Sequence, residues 1–236
     1  MSQRSEEVPY THPCPIRSFL IATVGTDLYA ITAGGEGNIQ MWKFDSALLK
    51  FSSILSLDGH IRGVTGMVMQ DGFLWSCSLD TTIRVWDLGT GKCVAVLGLS
   101  SEANAHKVAV ASMESVTCAD GEYVATGGAD GELKLWKNNG EFAWSGTHTG
   151  VIYCLRAFKD ELGGDQMLLI GTSEGEICAR SCLSMNIMFS LDRRSTCHQG
   201  TVTSLLSLGH SCFASVSDDG HIMIWQVEQA LKDLST

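Results

Sequence analysis

The chain has 236 residues, 44% of them hydrophobic and 18% charged, which is enough apolar material for a sizeable core and argues against wholesale disorder. Its formal net charge of −10 speaks against a broad phosphate-binding surface, and no apolar run is long enough to cross a bilayer as a helix. Nine cysteines, an odd number without a CxxC pair, read as reduced thiols, so a cytoplasmic or nuclear location is expected.

Residues 1–11 form a polar segment without the features of a signal or transit peptide. From His12 a pattern starts that returns along the chain. A small or acidic turn precedes a short β-branched strand in AGGEGNIQMWK, SLDTTIRVWD, GADGELKLWK and SDDGHIMIWQ, which carry Trp42, Trp86, Trp136 and Trp225. A fifth copy, TSEGEICARS, has Arg180 in the Trp place. These positions are 44, 50, 44 and 45 residues apart. Each unit opens on a His (His12, His60, His106, His148, His198) and continues with an apolar strand, such as GVTGMVMQ. A turn, a second strand such as FLWSCS or YVATGG, the acidic turn and the Trp strand follow. Alternating apolar positions and frequent turn residues suit short antiparallel strands. A period in the forties carried by four-stranded units predicts an all-β propeller with five recognisable blades. The units span about 12–57, 58–97, 98–145, 146–191 and 192–226, and 227–236 reads as a short helical tail.

The Gly59, His60, Trp86 and Asp87 of unit two, with the four other in-register copies, resemble WD40 repeats over residues 12–226. That resemblance implies a buried hydrogen-bond set of His, Ser or Thr, Asp and Trp in each repeat. The matching residues are His60, Ser76, Asp80 and Trp86 in unit two, and His106, Thr126, Asp130 and Trp136 in unit three. Unit five supplies His198, Ser215, Asp219 and Trp225; unit one has His12, Thr32, Glu36 and Trp42, with Glu in place of Asp. Unit four keeps His148 and Glu174 but has Ile170 and Arg180, so its network is expected to be broken or replaced. The chemistry is consistent by itself. A buried Asp needs donors, imidazole can donate and accept, a buried indole N–H needs an acceptor, and a hydroxyl can join them.

Ser76, His60 and Asp80 are also the residue types of a hydrolase triad. They recur at fixed spacing in several units, which one active site does not require, so a structural role is expected and no catalytic residue is assigned. GGEG, GGADG and GTGK lack the phosphate-loop spacing and read as turns. Cys178, Cys182, Cys197 and His198 could be taken as a zinc set, but strand placement and the repeat claim them, and no metal or cofactor is expected. Trp75 is expected between blades; Trp144 lies on an outer strand, either packed between blades or exposed as a partner anchor.

In the WD40 family, partners often bind the loops before the first strand and between the second and third. The matching positions are Arg62, Leu79, Ala129, Ser173 and Asp218. The Trp-Asp-x-Arg motif of ubiquitin-ligase substrate adaptors is absent, since Leu88 and Gly89 follow Asp87. The family's propellers mostly carry more blades than five. The chain therefore reads as the C-terminal part of a longer propeller, an open propeller completed by a partner, or a five-blade ring. In LYAITAGGEGNIQMWKF, LWSCSLDTTIRVWDL, the insertion KDELGGDQMLLI of unit four and the terminal IMIWQV, the order of units also resembles the C-terminal five blades of plant-type CCCH zinc finger/WD-repeat proteins, without the finger. The expected function is a non-enzymatic scaffold or adaptor for protein or peptide partners, one of which completes the propeller if the ring is open. Membrane, small-molecule and direct nucleic-acid contacts are not expected. The alternative is a nucleic-acid-associated regulatory module within a longer CCCH zinc finger/WD-repeat protein.

Overall fold

The computed structural model describes residues 12, 14–98, 104–118, 120–159, 166–192, 197–209 and 211–227. They form nineteen strands in five antiparallel sheets. Blade one is β1 (Ile16–Val24), β2 (Asp27–Gly34), β3 (Ile39–Asp45) and β4 (Lys50–Leu57). Blade two is β5 (Val64–Gln70), β6 (Phe73–Ser78), β7 (Ile83–Asp87) and β8 (Lys92–Leu97). Blade three is β9 (Val110–Cys118), β10 (Gly121–Gly128), β11 (Glu132–Lys137) and β12 (Phe142–Thr147). Blade four is β13 (Ile152–Phe158), β14 (Met167–Thr172), β15 (Ile177–Ser181) and β16 (Ile187–Leu191). Blade five has three strands, β17 (Val202–Gly209), β18 (Cys212–Ser217) and β19 (Ile222–Gln226).

Each sheet is a meander whose strands neighbour in sequence order. The first strand of every blade begins with a register irregularity, at Ile16/Ser18, Val64/Gly66, Val110/Ser112 (opposite Gly127 and Gly128), Ile152/Cys154 and Val202/Ser204. A bulge at the same point in each unit bends the inner strand and adds twist. The helical tail expected over 227–236 falls outside the described residues apart from Val227. The Val227 N–H donates to the Ser211 carbonyl at 2.9 Å and its side chain is buried in the last interface.

The core lies between blades. A sheet two faces wide buries one face on the preceding unit and the other on the following one, so its middle strands are apolar nearly throughout, as in MLLIGT of β14. Ile31, Ala33, Ile39 and Met41 of blade one meet Met67, Leu74 and Trp86 of blade two. Trp75, Cys77, Ile83 and Val85 of blade two meet Val124, Met113 and Trp136 of blade three. Thus Trp86, Trp136 and Trp225 pack backwards onto the previous blade, and Trp75 packs forwards, as expected for it. Leu133 and Leu135 meet Leu155 and Leu168 across the third interface, and Phe189 and Phe158 meet Phe213 across the fourth.

Inner strands β1, β5, β9, β13 and β17 stand side by side in chain order, each packed on the next. Among the described residues β1 and β17 make no comparable contact. The five blades therefore form an open row and not a closed ring. Their concave side bounds a cavity of about 740 Å³ whose lining includes Phe19, Ile21, Met67, Met69, Glu114 and Arg156.

Candidate interaction rim

One backbone bond repeats at the same end of each sheet. The N–H groups of Leu79, Ala129, Ser173 and Asp218 donate to the carbonyls of Gly63, Ala109, Val151 and Thr201 at 2.9, 2.8, 2.9 and 3.2 Å. Gly35 to Pro15, at 3.2 Å, is the same bond in blade one. It ties the turn between second and third strands to the entrance of the first, and so sets these loops along one rim. Arg62 and Asp218 are exposed there; Leu79, Ala129 and Ser173 are half-buried. The Arg62 carbonyl accepts from the Ser78 hydroxyl at 3.0 Å. The Ser173 hydroxyl oxygen accepts the Val151 N–H at 3.0 Å, so it already serves its own turn.

Beneath the rim lie the hydrogen-bonded sets. In blade two the Trp86 indole N–H donates to Ser76 Oγ at 2.9 Å, Ser76 Oγ lies 2.8 Å from His60 Nε2, and His60 Nδ1 lies 2.9 Å from Asp80. The direction of the chain follows from the donors. The ionised carboxylate only accepts, so Nδ1 carries a proton; Ser76 Oγ accepts a hydrogen bond from the indole N–H and its own O–H donates one to Nε2. Blade three has the same chain at 2.9, 2.9 and 3.4 Å through Trp136, Thr126, His106 and Asp130. Blade five has it at 2.8, 2.7 and 3.2 Å through Trp225, Ser215, His198 and Asp219.

The three aspartates also organise the rim backbone. Asp80 accepts from the N–H groups of Ile61 and Thr82, Asp130 from Lys107 and Glu132, and Asp219 from Gln199 and His221. Burial pushes the Asp80 carboxyl up, but bonds from the His60 ring and from the Thr82 hydroxyl and amide outweigh it, and the carboxyl lies well below its ordinary value. The same opposition holds Asp130 down at about 2. Asp219 is lowered too, with burial opposed by the amides of His221 and Gln199 and by His198.

Blade one departs from the expected set. Trp42 donates to Thr32 at 2.9 Å, but His12 Nδ1 bonds to the Cys14 carbonyl at 3.1 Å, and Glu36 is exposed. The longer Glu side chain turns to water, and the imidazole bonds its own segment's backbone at Cys14 instead. His12 Nε2 is left buried without a partner.

Blade four replaces the set. The Arg180 Nε donates to His148 Nε2 at 3.1 Å, and its Nη1 donates to the Met185 carbonyl at 2.7 Å. The guanidinium lies over Trp144 of blade three, 5.1 Å from the ring centroid. Trp144 is thus inter-blade packing and not a free anchor. Burial, followed by the Arg180 charge, lowers His148 to about 4, so it is neutral near pH 7.

The set Cys178, Cys182, Cys197 and His198 is not brought together: Cys178 and Cys182 lie in the third interface, Cys197 in the fourth, and His198 is bonded to Ser215 and Asp219. His148, Glu176 and Cys178 do stand close enough for a common ion, as do His106, Asp130 and Glu132. Arg180 occupies the first group with its own cation, and both His106 nitrogens are taken in the second. GGEG and GGADG are turns closed by Gly37 to Gly34 and Gly131 to Gly128, and GTGK by Gly91 to Asp87.

Sequence reasoning missed Ile61. It sits between His60 and Arg62, 82% exposed, with its N–H fixed by Asp80. Lys107 and Gln199 hold the same place after His106 and His198 and are exposed as well. The available signal was the large apolar residue directly after a repeat His, outside any strand alternation.

Known proteins share these features. The chain is 31% identical over 133 residues to "Zinc finger CCCH domain-containing protein 48" of Arabidopsis thaliana, covering 54% of this chain and 26% of that protein. It is 28% identical over 130 residues to "Mitochondrial division protein 1" of Vanderwaltozyma polyspora, covering 45% of this chain and 18% of that protein. The chain thus spans about a quarter or less of these relatives' lengths. The crystal structure of the computationally designed Ika8 protein superposes with a TM-score of 0.69 at 22% identity, covering 92% of this chain and 60% of that one, and shows the fold alone. The family model "WD domain, G-beta repeat" matches residues 51–87, 91–137 and 190–226, and with the repeated blades and their hydrogen-bonded sets the chain belongs to the WD40-repeat family.

Proposed function

We propose that this chain is a non-catalytic scaffold that holds protein or peptide partners against its rim. The observation that carries this reading is the division of labour at that rim. Backbone bonds recur in every blade and half-buried aspartates in three, while the side chains they present differ: Ile61, Arg62, Leu79, Ala129 and Asp218. A mixed apolar and charged surface on a fixed frame is what protein contact uses. The Ser, His and Asp residues do not supply hydrolysis, because Ser76 is fully buried and its oxygen already bonds Trp86 and His60. Membrane, small-molecule or cofactor chemistry has no part in this reading.

The test is capture from cells with the chain and with a rim variant, Ile61→Ser, Arg62→Glu and Leu79→Ser, matched in folding by circular dichroism. A saturable set of proteins held by the parent and lost with the variant is the expected result. Equal capture by both, or no stable partner at all, refutes the rim as the working surface. The likeness to CCCH zinc finger proteins favours one second reading, a nucleic-acid-associated module working beside a finger elsewhere in a longer polypeptide. Salt-dependent RNA binding by the isolated chain would favour it, and the net charge of −10 stands against direct contact.

A further inference from the structure

We infer that the partner segment held at the rim is an acidic peptide, with carboxylates on both sides of a large aliphatic side chain, lying across the entrances of blades two and three; this rests on the rim being the working surface. At these two entrances the residues directly after the repeat His form the same pair in opposite order. Blade two presents Ile61 and then Arg62, and blade three presents Lys107 and then Val108. All four are exposed, Ile61 at 82% and Val108 at 41%. Their backbones are fixed by the turns below, since the Ile61 N–H donates to Asp80 at 3.0 Å and the Lys107 N–H to Asp130 at 3.2 Å. Both entrances lie inside the row, with blade one packed on blade two and blade four on blade three.

The positive charges here are not matched within the chain, although its net charge is −10. Among the described residues, Lys43, Lys134, Lys137 and Arg156 pair with carboxylates, while Arg62 and Lys107 pair with none. The neighbouring Asp80 and Asp130 are turned inward, onto His60, His106 and backbone N–H groups. Arg17 lies against Gly63 and adds a third cation beside Arg62. The same places in blades four and five are neutral: Thr149 and Gly150, Gln199 and Gly200.

A backbone feature marks the same boundary independently. The residue after the turn carboxylate is Gly37, Gly131, Gly175 or Gly220 in four blades, always with positive φ; in blade two it is Thr81, at φ 75°. A Cβ on Gly37, Gly131 or Gly175 would run into the His carbonyl of the following blade, so this place faces the next entrance. In blade two that is the entrance of Lys107 and Val108. A β-branched residue is strained at such φ, and strain of this kind clusters where side chains bind.

Two single cations on separate blades, each beside an aliphatic side chain, suit carboxylates spaced along a peptide with an apolar residue between them. A phosphate is held instead by several donors converging on one group, as an Arg cluster supplies. Opposite charge at this patch selects and orients the partner, and Ile61 and Val108 give it apolar contact.

The test selects peptides for the intact chain from a displayed random library and titrates those recovered by fluorescence polarisation. They are expected to carry Asp or Glu on both sides of an aliphatic residue, to bind more weakly as salt rises, and to lose about tenfold in affinity with Arg62→Glu and with Lys107→Glu. Lys92→Glu makes the same charge change at the opposite end of blade two and is expected to leave binding unaltered. Neutral or basic peptides, or binding that both rim reversals leave as in the parent, overturn the inference. Loss of those same peptides with Ile61→Ser would still keep the rim as the working surface, so the two failures are told apart. A phosphoserine version bound more than about tenfold tighter than its Asp counterpart assigns the patch to phosphate and overturns the inference. Recovery of no peptide overturns it as well.

Discussion

At the scale of single residues, the sets under the rim stand or fall on their hydroxyl. Ser76 accepts from Trp86 and reaches His60, both of which are buried, so its loss strands two groups together. An unsatisfied buried polar group costs about 1–3 kcal/mol. Ser76→Ala is therefore expected to lower stability by about that amount for each of the two groups. Thr32→Ala in blade one strands only the half-buried Trp42 indole and is expected to cost clearly less. Urea denaturation of both variants checks the order; equal costs would show that the sets are not coupled as drawn. The residue types of these sets were legible in the sequence because the Asp-to-Trp spacing of six is a turn plus a strand. The failure of His12 and Glu36 to meet was not, since it depends on how the entry segment turns the imidazole. Ile61 escaped for a related reason: its place on the rim is set by a hydrogen bond from its backbone N–H to the Asp80 carboxylate, nineteen residues away.

At the scale of the blade, unit four shows how one element exchanges its internal bonds. Ile170 offers no oxygen, so an indole N–H at position 180 would have no acceptor there. Arg180 sends its donors to His148 and the Met185 carbonyl instead, and its flat cation covers Trp144. Both departures could be read from the sequence, but the replacement bonding could not, because the Met185 carbonyl lies in a turn whose course no side-chain pattern encodes. This exchange has a consequence for acid stability. His148 has an ordinary value of 6.5 and is held at about 4 in the fold. Below pH 6.5 the unfolded chain takes up a proton that the folded chain refuses. The resulting contribution is complete above pH 6.5 and is lost as pH falls toward 4. His148→Gln, which keeps an acceptor for Arg180 and does not titrate, is expected to flatten the fall in stability between pH 7 and pH 5. Urea midpoints across that range provide the measurement, and parallel slopes for parent and variant would contradict the assignment.

At the scale of the whole molecule, the number and order of blades were legible, because each Trp strand, or the Arg180 strand in its place, marks a unit. Openness was not legible. Five units are compatible with a closed ring, an open row or part of a larger ring, and the choice depends on how each sheet turns relative to its neighbour. Among the described residues the separated β1 and β17 decide against a closed ring of these five units. The rim runs along one end of every sheet, and the hairpin turn at Thr90, between β7 and β8, lies at the opposite end. The reading of this protein as a scaffold acting through its rim is tested most directly by site-specific photo-crosslinking in cells, with the reactive side chain placed at Ile61 in one sample and at Thr90 in another. Discrete crosslinked partners from Ile61 and none from Thr90 are the expected result. The same yield and pattern from both positions, or crosslinks only from Thr90, would contradict it.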